Sequence, residues 1–174
     1  SNEITAIPKL LEMLHRKGAT VTIDAMGCQT DIARRIIDAG GHYVLNVKGN
    51  QGRLRDGIEE FFAEFLDGQE PSVPVRQRHS TTSGHGRKEA RWHYVCPVPR
   101  DLPDRERWPG LEAIGMVISN TIRDRKECVD IRYYILSKKL AVKTFAAIVK
   151  GHWAIENQLH WQLDDTFRED HCRI

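Results

Sequence analysis

The stretch that most constrains this chain runs from Ala19 to Asn50. "ATVTIDA" (19–25) alternates and is β-branched, the pattern of a short buried strand ending at Asp24. "QTDIARRIIDAGG" (29–41) then places Ile32, Ile36 and Ile37 on one helical face, with Thr30 as the expected N-cap and two glycines as the stop. "HYVLNVKGN" (42–50) reads as a second strand. An earlier helix, "AIPKLLEMLHRKG", carries Ile7, Leu10, Leu11 and Leu14 at helical spacing, with Pro8 in its first turn and Gly18 at its end. Helix, strand, helix, strand is the order of a parallel strand pair joined by crossover helices, so the chain is expected to be α/β.

Beyond a third amphipathic helix, "LRDGIEEFFAEFL" (54–66), the texture changes. "SVPVRQRHS" and "EARWHYVCPV" read as two strands of an antiparallel hairpin around the polar "TTSGHG". "RDLPDRERWPG" is a loop with a short helical turn. "LEAIGMVISNTIR" and "CVDIRYYILS" are two further strands joined by the charged turn "DRKE". "AVKTFAAIVKG" is a helix reaching Gly151, and another helix is expected to begin near His152 or Trp153.

At 174 residues, 40% of them hydrophobic, the chain can bury the core of one domain. Cys28, Cys96, Cys128 and Cys172 form no CxxC pair, which argues against a zinc knuckle or a disulfide-stapled secreted fold and for a reducing, cytoplasmic setting. No segment approaches the roughly 18 apolar residues of a membrane helix, and no signal-peptide pattern is present. The net charge is only +2, but its distribution is uneven. Residues 76–91 hold five Arg or Lys against one acidic residue, and residues 123–143 hold seven against three. Such clusters suit a phosphate-contacting surface or a solvated charged face.

Asp24 stands at the C-terminal end of its strand, the edge where ligands bind in open α/β sheets, although an Asp there can equally cap the following turn. "KGNQG" brings Lys48, Asn50 and Gln51 to that edge, as a phosphate contact or a polar turn. "SGHGRKEAR" supplies Arg87, Lys88 and Arg91 near a hairpin tip with the same two readings. In "GHWAIENQLHWQLDDTF", His152, Glu156 and His160 are four apart on one helical stripe beside Ile155, Leu159 and Leu163. Two histidines eight apart span about 12 Å of helix, so they do not share one ion, and the zinc-protease motif needs them four apart. Glu156 remains as a hard oxygen ligand, while Trp153 and Trp161 suit packing or base stacking. Two carboxylates distant in sequence, Asp24 and Glu156, match what a Mg²⁺-dependent phosphoryl-transfer site requires. A third would be needed, with Asp31, Asp164 and Asp165 as candidates.

At "NEITAIPKLL", "TIDAMGCQ", "YVLNVKGNQG", "HGRKEAR", "RYYILS" and "HWAIENQLHWQLDDTFRED" the chain resembles the bacterial DDE transposases that include the H-repeat-associated proteins. The resemblance implies an incomplete ribonuclease-H-like core spanning 1–174, with a β-rich insertion at 71–137 before the last catalytic helix. It implies Asp24 and Glu156 as second and third catalytic and metal-binding acids, and two Mg²⁺ or Mn²⁺ ions. Asn157 follows Glu156 as in the family pattern. His152 stands where the broader group carries an Arg near the scissile phosphate, and Val149 where it carries a Tyr. Lys48, Asn50, Gln51, Arg87, Lys88, Arg91, His152 and Asn157 are the expected DNA contacts, with DNA as partner and a homo-oligomer assembled on it. The first catalytic Asp of the family lies upstream of the "NEITAIP" match, so the chain is expected to be a C-terminal piece that is inactive alone. A nuclease of the same fold and a non-enzymatic DNA-binding remnant are the alternatives.

Overall fold

The computed structural model describes residues 18–84 and 86–152. Strand β1 (Thr20–Ile23) pairs in parallel with β2 (His42–Val47), in the register Thr20↔His42 to Ile23↔Leu45. Helix α1 (Thr30–Asp38) is the crossover between them. Helix α2 (Gly52–Leu66) leads to β3 (Arg76–Gly84), β4 (Arg87–Pro97), β5 (Ala113–Arg123) and β6 (Lys126–Leu136), an antiparallel meander. β6 then returns to pair with β2, so one six-stranded mixed sheet runs β1-β2-β6-β5-β4-β3. A further helix, α3, covers 142–152.

Strand alternation sends successive side chains to opposite faces and so divides the core in two. On one face Tyr43, Leu45, Tyr94, Met116, Tyr133 and Ile135 pack with Ile32 and Ile36 of α1 and Leu54, Ile58 and Phe62 of α2. On the other face Val44, Val95, Val117, Tyr134 and Leu136 receive Phe145 and Val149 of α3. Each such fully buried side chain stabilises the fold by about 1.5–3 kcal/mol relative to exposure. Gly115 permits the close approach of α3 to the sheet, because a Cβ there would stand 2.7 Å from Cζ of Phe145.

Several boundaries differ from the sequence expectation. Thr30 is the first helical residue of α1 and Gln29 is the N-cap, its carbonyl accepting from the Ala33 N–H. The double-glycine stop is a Schellman closure: Gly40 takes φ 76°, and the Gly41 and Gly40 amides donate to the Ile36 and Ile37 carbonyls. β3 begins later and ends later than the valines suggested. Thr81 and Thr82 pair with Ala90 and Glu89, so most of the polar "TTSGHG" is strand and not loop. The β5–β6 turn is tighter than four residues. Arg123 pairs with Lys126, leaving Asp124 and Arg125 at φ 49° and 63°, the two positive values of a two-residue hairpin turn. α3 continues through Gly151 to His152, and the alternative start of a new helix at Trp153 lies outside the described residues. β1 is half-buried, not buried. The expected helix around Ile7–Leu14 lies outside the described residues.

Candidate active site

Asp24 follows β1 directly, and the parallel register decides what it meets. Thr22 is level with Val44, so two residues further on each strand bring Asp24 and Asn46 to the same face. Nδ2 of Asn46 donates to Oδ1 of Asp24 at 3.3 Å, and Nζ of Lys48 lies 3.7 Å from the same oxygen. From α3, Nδ1 of His152 is 3.1 Å from Oγ1 of Thr22. A strand end, the neighbouring strand end and the end of the described part of α3 thus converge on one carboxylate.

The electrostatics favour an ionised Asp24. Partial burial pushes its pKa up, but the Ala25 amide, the Lys48 ammonium, the Asn46 amide and His152 outweigh this and hold it below the usual aspartate value. Asp24 occupies the N-cap position of a single 3₁₀ turn, Ala25–Gly27, without a hydrogen bond of capping geometry, so the Ala25 N–H acts on it through its dipole. The side chain is 45% exposed and therefore reachable from solvent.

The loop after β2 serves this site from below. Asn50 donates from Nδ2 to the Ala25 carbonyl at 2.9 Å, and Gln51 from Nε2 to the Cys28 carbonyl at 3.1 Å. Both amide nitrogens hold the turn that follows Asp24. Cys28 beneath is buried, and that burial pushes its thiol up to about 12, so it stays protonated.

The other expected contacts lie elsewhere. Arg87 and Arg91 flank Glu89 on β4, at 3.4 and 2.6 Å, while Lys88 points to the opposite sheet face. β4 is four strand steps from β1, roughly 19 Å at about 4.8 Å per step. Glu156, Asn157, Trp153, His160, Trp161, Asp164 and Asp165 lie outside the described residues. Asp31 is exposed in the first turn of α1. Among the described residues no three His, Cys, Asp or Glu side chains gather to hold a metal. Asp24, ionised, oriented and half-exposed, could serve as one hard oxygen ligand.

Two participants escaped the sequence reading. Asn46 is 4% exposed within an apolar strand, and a buried amide of that kind demands a partner. Thr22 looked like strand filler. Only the first carried a local signal.

The fold is a mixed α/β sheet with an ionised acid at a parallel strand end, and comparison with known proteins gives its family. The family model described as "Transposase DDE domain" matches residues 1–174, and the chain belongs to this family. It is 44% identical over its whole length to the protein YbfL of Escherichia coli K12 and to "H repeat-associated putative transposase YhhI" of the same strain, covering 47% of each. A protein encoded in the dhlA 3′ region of Xanthobacter autotrophicus is 39% identical over 79% of the chain, which covers 45% of that relative. The chain thus spans under half the length of the curated relatives it matches. No solved structure matches it.

Proposed function

We propose that the chain is part of a DNA transposase catalytic domain, and that Asp24 and Glu156 are two of its catalytic carboxylates. The observation that supports this most directly is the ionised, oriented Asp24 at the end of β1, in a chain of the DDE family. In this reading β1 and β2 are two strands of a ribonuclease-H-like core, and residues 71–137 are an insertion that extends its sheet. Among the described residues β1 pairs only with β2, so its other edge is where further core strands would join.

Divalent ions, Mg²⁺ or Mn²⁺, would be held by Asp24 and Glu156 and would supply activation of the attacking hydroxyl and stabilisation of the leaving oxygen. The chain's own residues prepare that chemistry. Asn46 fixes the Asp24 carboxylate against rotation, leaving Oδ2 without this tether. Lys48 keeps the carboxylate ionised and, being 57% exposed, can exchange it for a phosphate oxygen of DNA when metal takes the carboxylate. The Nδ1 contact to Thr22 commits one ring nitrogen of His152 and leaves Nε2 for a phosphate beside the acid.

The experiment uses the full-length protein with Glu156→Gln and, separately, Asp24→Asn. Each should abolish strand cleavage and strand transfer in Mg²⁺ while duplex binding, carried mainly by basic contacts, persists. Cleavage surviving in either variant would remove that residue from the catalytic set.

A further inference from the structure

A groove of about 490 Å³ opens on the same sheet face as Asp24, on the far flank of α3. Its walls are Arg78 of β3, Glu89 and Arg91 of β4, and Lys143 and Lys150 of α3. Ala146 and Ala147 on that flank are too small to fill it. Four cationic side chains thus face one carboxylate. Glu89 is already engaged by Arg87 and Arg91, whereas Arg78, Lys143 and Lys150 meet no carboxylate at ion-pair distance among the described residues.

The floor is less ordinary. His93 is 3% exposed, and neither Nδ1 nor Nε2 has a hydrogen-bond partner among the described residues. Its ring stands nearly perpendicular to that of Phe145, 6.3 Å between centres, and the side chain lines the groove. Burial, then the Arg91 and Arg78 guanidiniums, hold its pKa below the usual imidazole value, and the Arg78 backbone acts on the ring charge without hydrogen-bond geometry. The ring is therefore neutral, with one N–H donor that nothing in the described fold accepts. A buried donor without an acceptor is costly, and natural folds keep few of them. A donor under a canyon of positive charge fits an oxyanion.

We propose that this groove is a second phosphodiester-binding site, in which Arg78, Lys143 and Lys150 neutralise a DNA backbone and His93 donates to a phosphate oxygen. The inference rests on the transposase reading for its choice of DNA. It places a contact across α3 from Asp24, so that one duplex, or the two strands of an opened end, can be gripped on both flanks of the helix that carries His152.

The test uses the 174-residue chain with the imidazole nitrogens of His93 observed by long-range ¹H–¹⁵N NMR. Asn46 and Lys48 side-chain signals report the Asp24 site. Inorganic phosphate and a random-sequence duplex are titrated separately at low salt. Both should shift the His93 nitrogens, and Arg78→Gln combined with Lys150→Gln should reduce the salt dependence of log K for the duplex by about 2, near one unit per lost phosphate contact. Both replaced side chains are exposed, and an unchanged thermal transition verifies the fold. Duplex binding that shifts Asn46 and Lys48 but leaves His93 and the double variant's salt dependence unchanged overturns this proposal and leaves the catalytic reading intact. Phosphate shifting His93 while the duplex does not overturns DNA as the ligand. Shifts at His93 without any at Asn46 or Lys48 sustain the groove and count against the Asp24 face as a DNA contact.

Discussion

Asn46 and Asp24, 22 residues apart, meet at 3.3 Å because two parallel strands hold them on one face, and the amide donates to the acid. The acid is set by its neighbour as much as by its own position. Asn46→Ala should therefore raise the Asp24 pKa toward its ordinary value, read from the carboxyl carbon in an NMR titration. The accompanying stability loss should be about 1 kcal/mol, the net worth of such a bond. An unmoved pKa would show that Lys48 and the Ala25 amide suffice.

Acid titration gives a second expectation. The folded pKa of Asp24 is depressed, so its contribution to stability is complete above the unfolded aspartate range and fades as pH falls through the folded value. With the side chain 45% exposed, solvent screening keeps that contribution below about 1 kcal/mol. Urea unfolding of wild type and Asp24→Asn should differ most near pH 7 and converge as pH falls through the folded value. A gap that widens on acidification would contradict the sign.

His93 predicts the opposite of the usual cost of a core substitution. Its buried ring nitrogens have no partner among the described residues, so His93→Leu should be neutral or stabilise by up to about 1 kcal/mol at pH 7. Because the folded pKa is depressed, the wild type should lose stability as pH falls below the ordinary imidazole pKa, where the unfolded chain takes up a proton that the folded chain refuses. Arg91 on the ring's own strand and Arg78 from β3 work in the same direction, and Lys143, Lys150 and Glu89 are the other charged groups lining the groove. The Leu variant should lack that limb. Chemical denaturation between pH 5 and 8 reads both effects, and a clear destabilisation at pH 7 would mean the ring is satisfied in solution.

What could be read in advance follows the range of the interactions. Asp24 was legible because a lone acid ending a β-branched run is a local pattern. The parallel pair was legible from the intervening Ile32, Ile36 and Ile37. That Asn46 meets Asp24 was not, since the pairing depends on the register Thr22↔Val44, which no local pattern encodes. Nor was the return of β6 to β2, which joins the basic middle of the chain to the Asp24 strand pair in one sheet. The Arg87–Lys88–Arg91 group read as one basic tip, yet strand alternation sends Lys88 to one face and the two arginines to the other. The groove under α3 needed β3, β4 and a helix more than 50 residues later to be placed together.

Gly115 tests whether α3 is seated firmly enough to hold His152 at the acid. The glycine lies under the ring of Phe145, whose Cζ, Cε1 and Cε2 would stand 2.7, 3.1 and 3.2 Å from an added Cβ. Phe145 is fully buried and is also packed edge-on against Tyr134, 5.5 Å between ring centres, so it has little room to yield. Gly115→Ala should therefore cost about 1–3 kcal/mol as overpacking, despite the better strand propensity of alanine. The relief available is a shift of α3 away from the sheet. His152 is seven residues further along that helix, about 10 Å, and its 3.1 Å contact with Thr22 should loosen with it. Thr22→Val removes that contact without moving the helix, and so separates the two causes. If Gly115→Ala and Thr22→Val change the His152 ring signals alike, while only Gly115→Ala lowers stability by more than about 1 kcal/mol, the seat of Phe145 governs the geometry at Asp24. An alanine at 115 that leaves stability and the His152 signals unchanged would mean that the ring repacks in place and that α3 is positioned by Val149 instead.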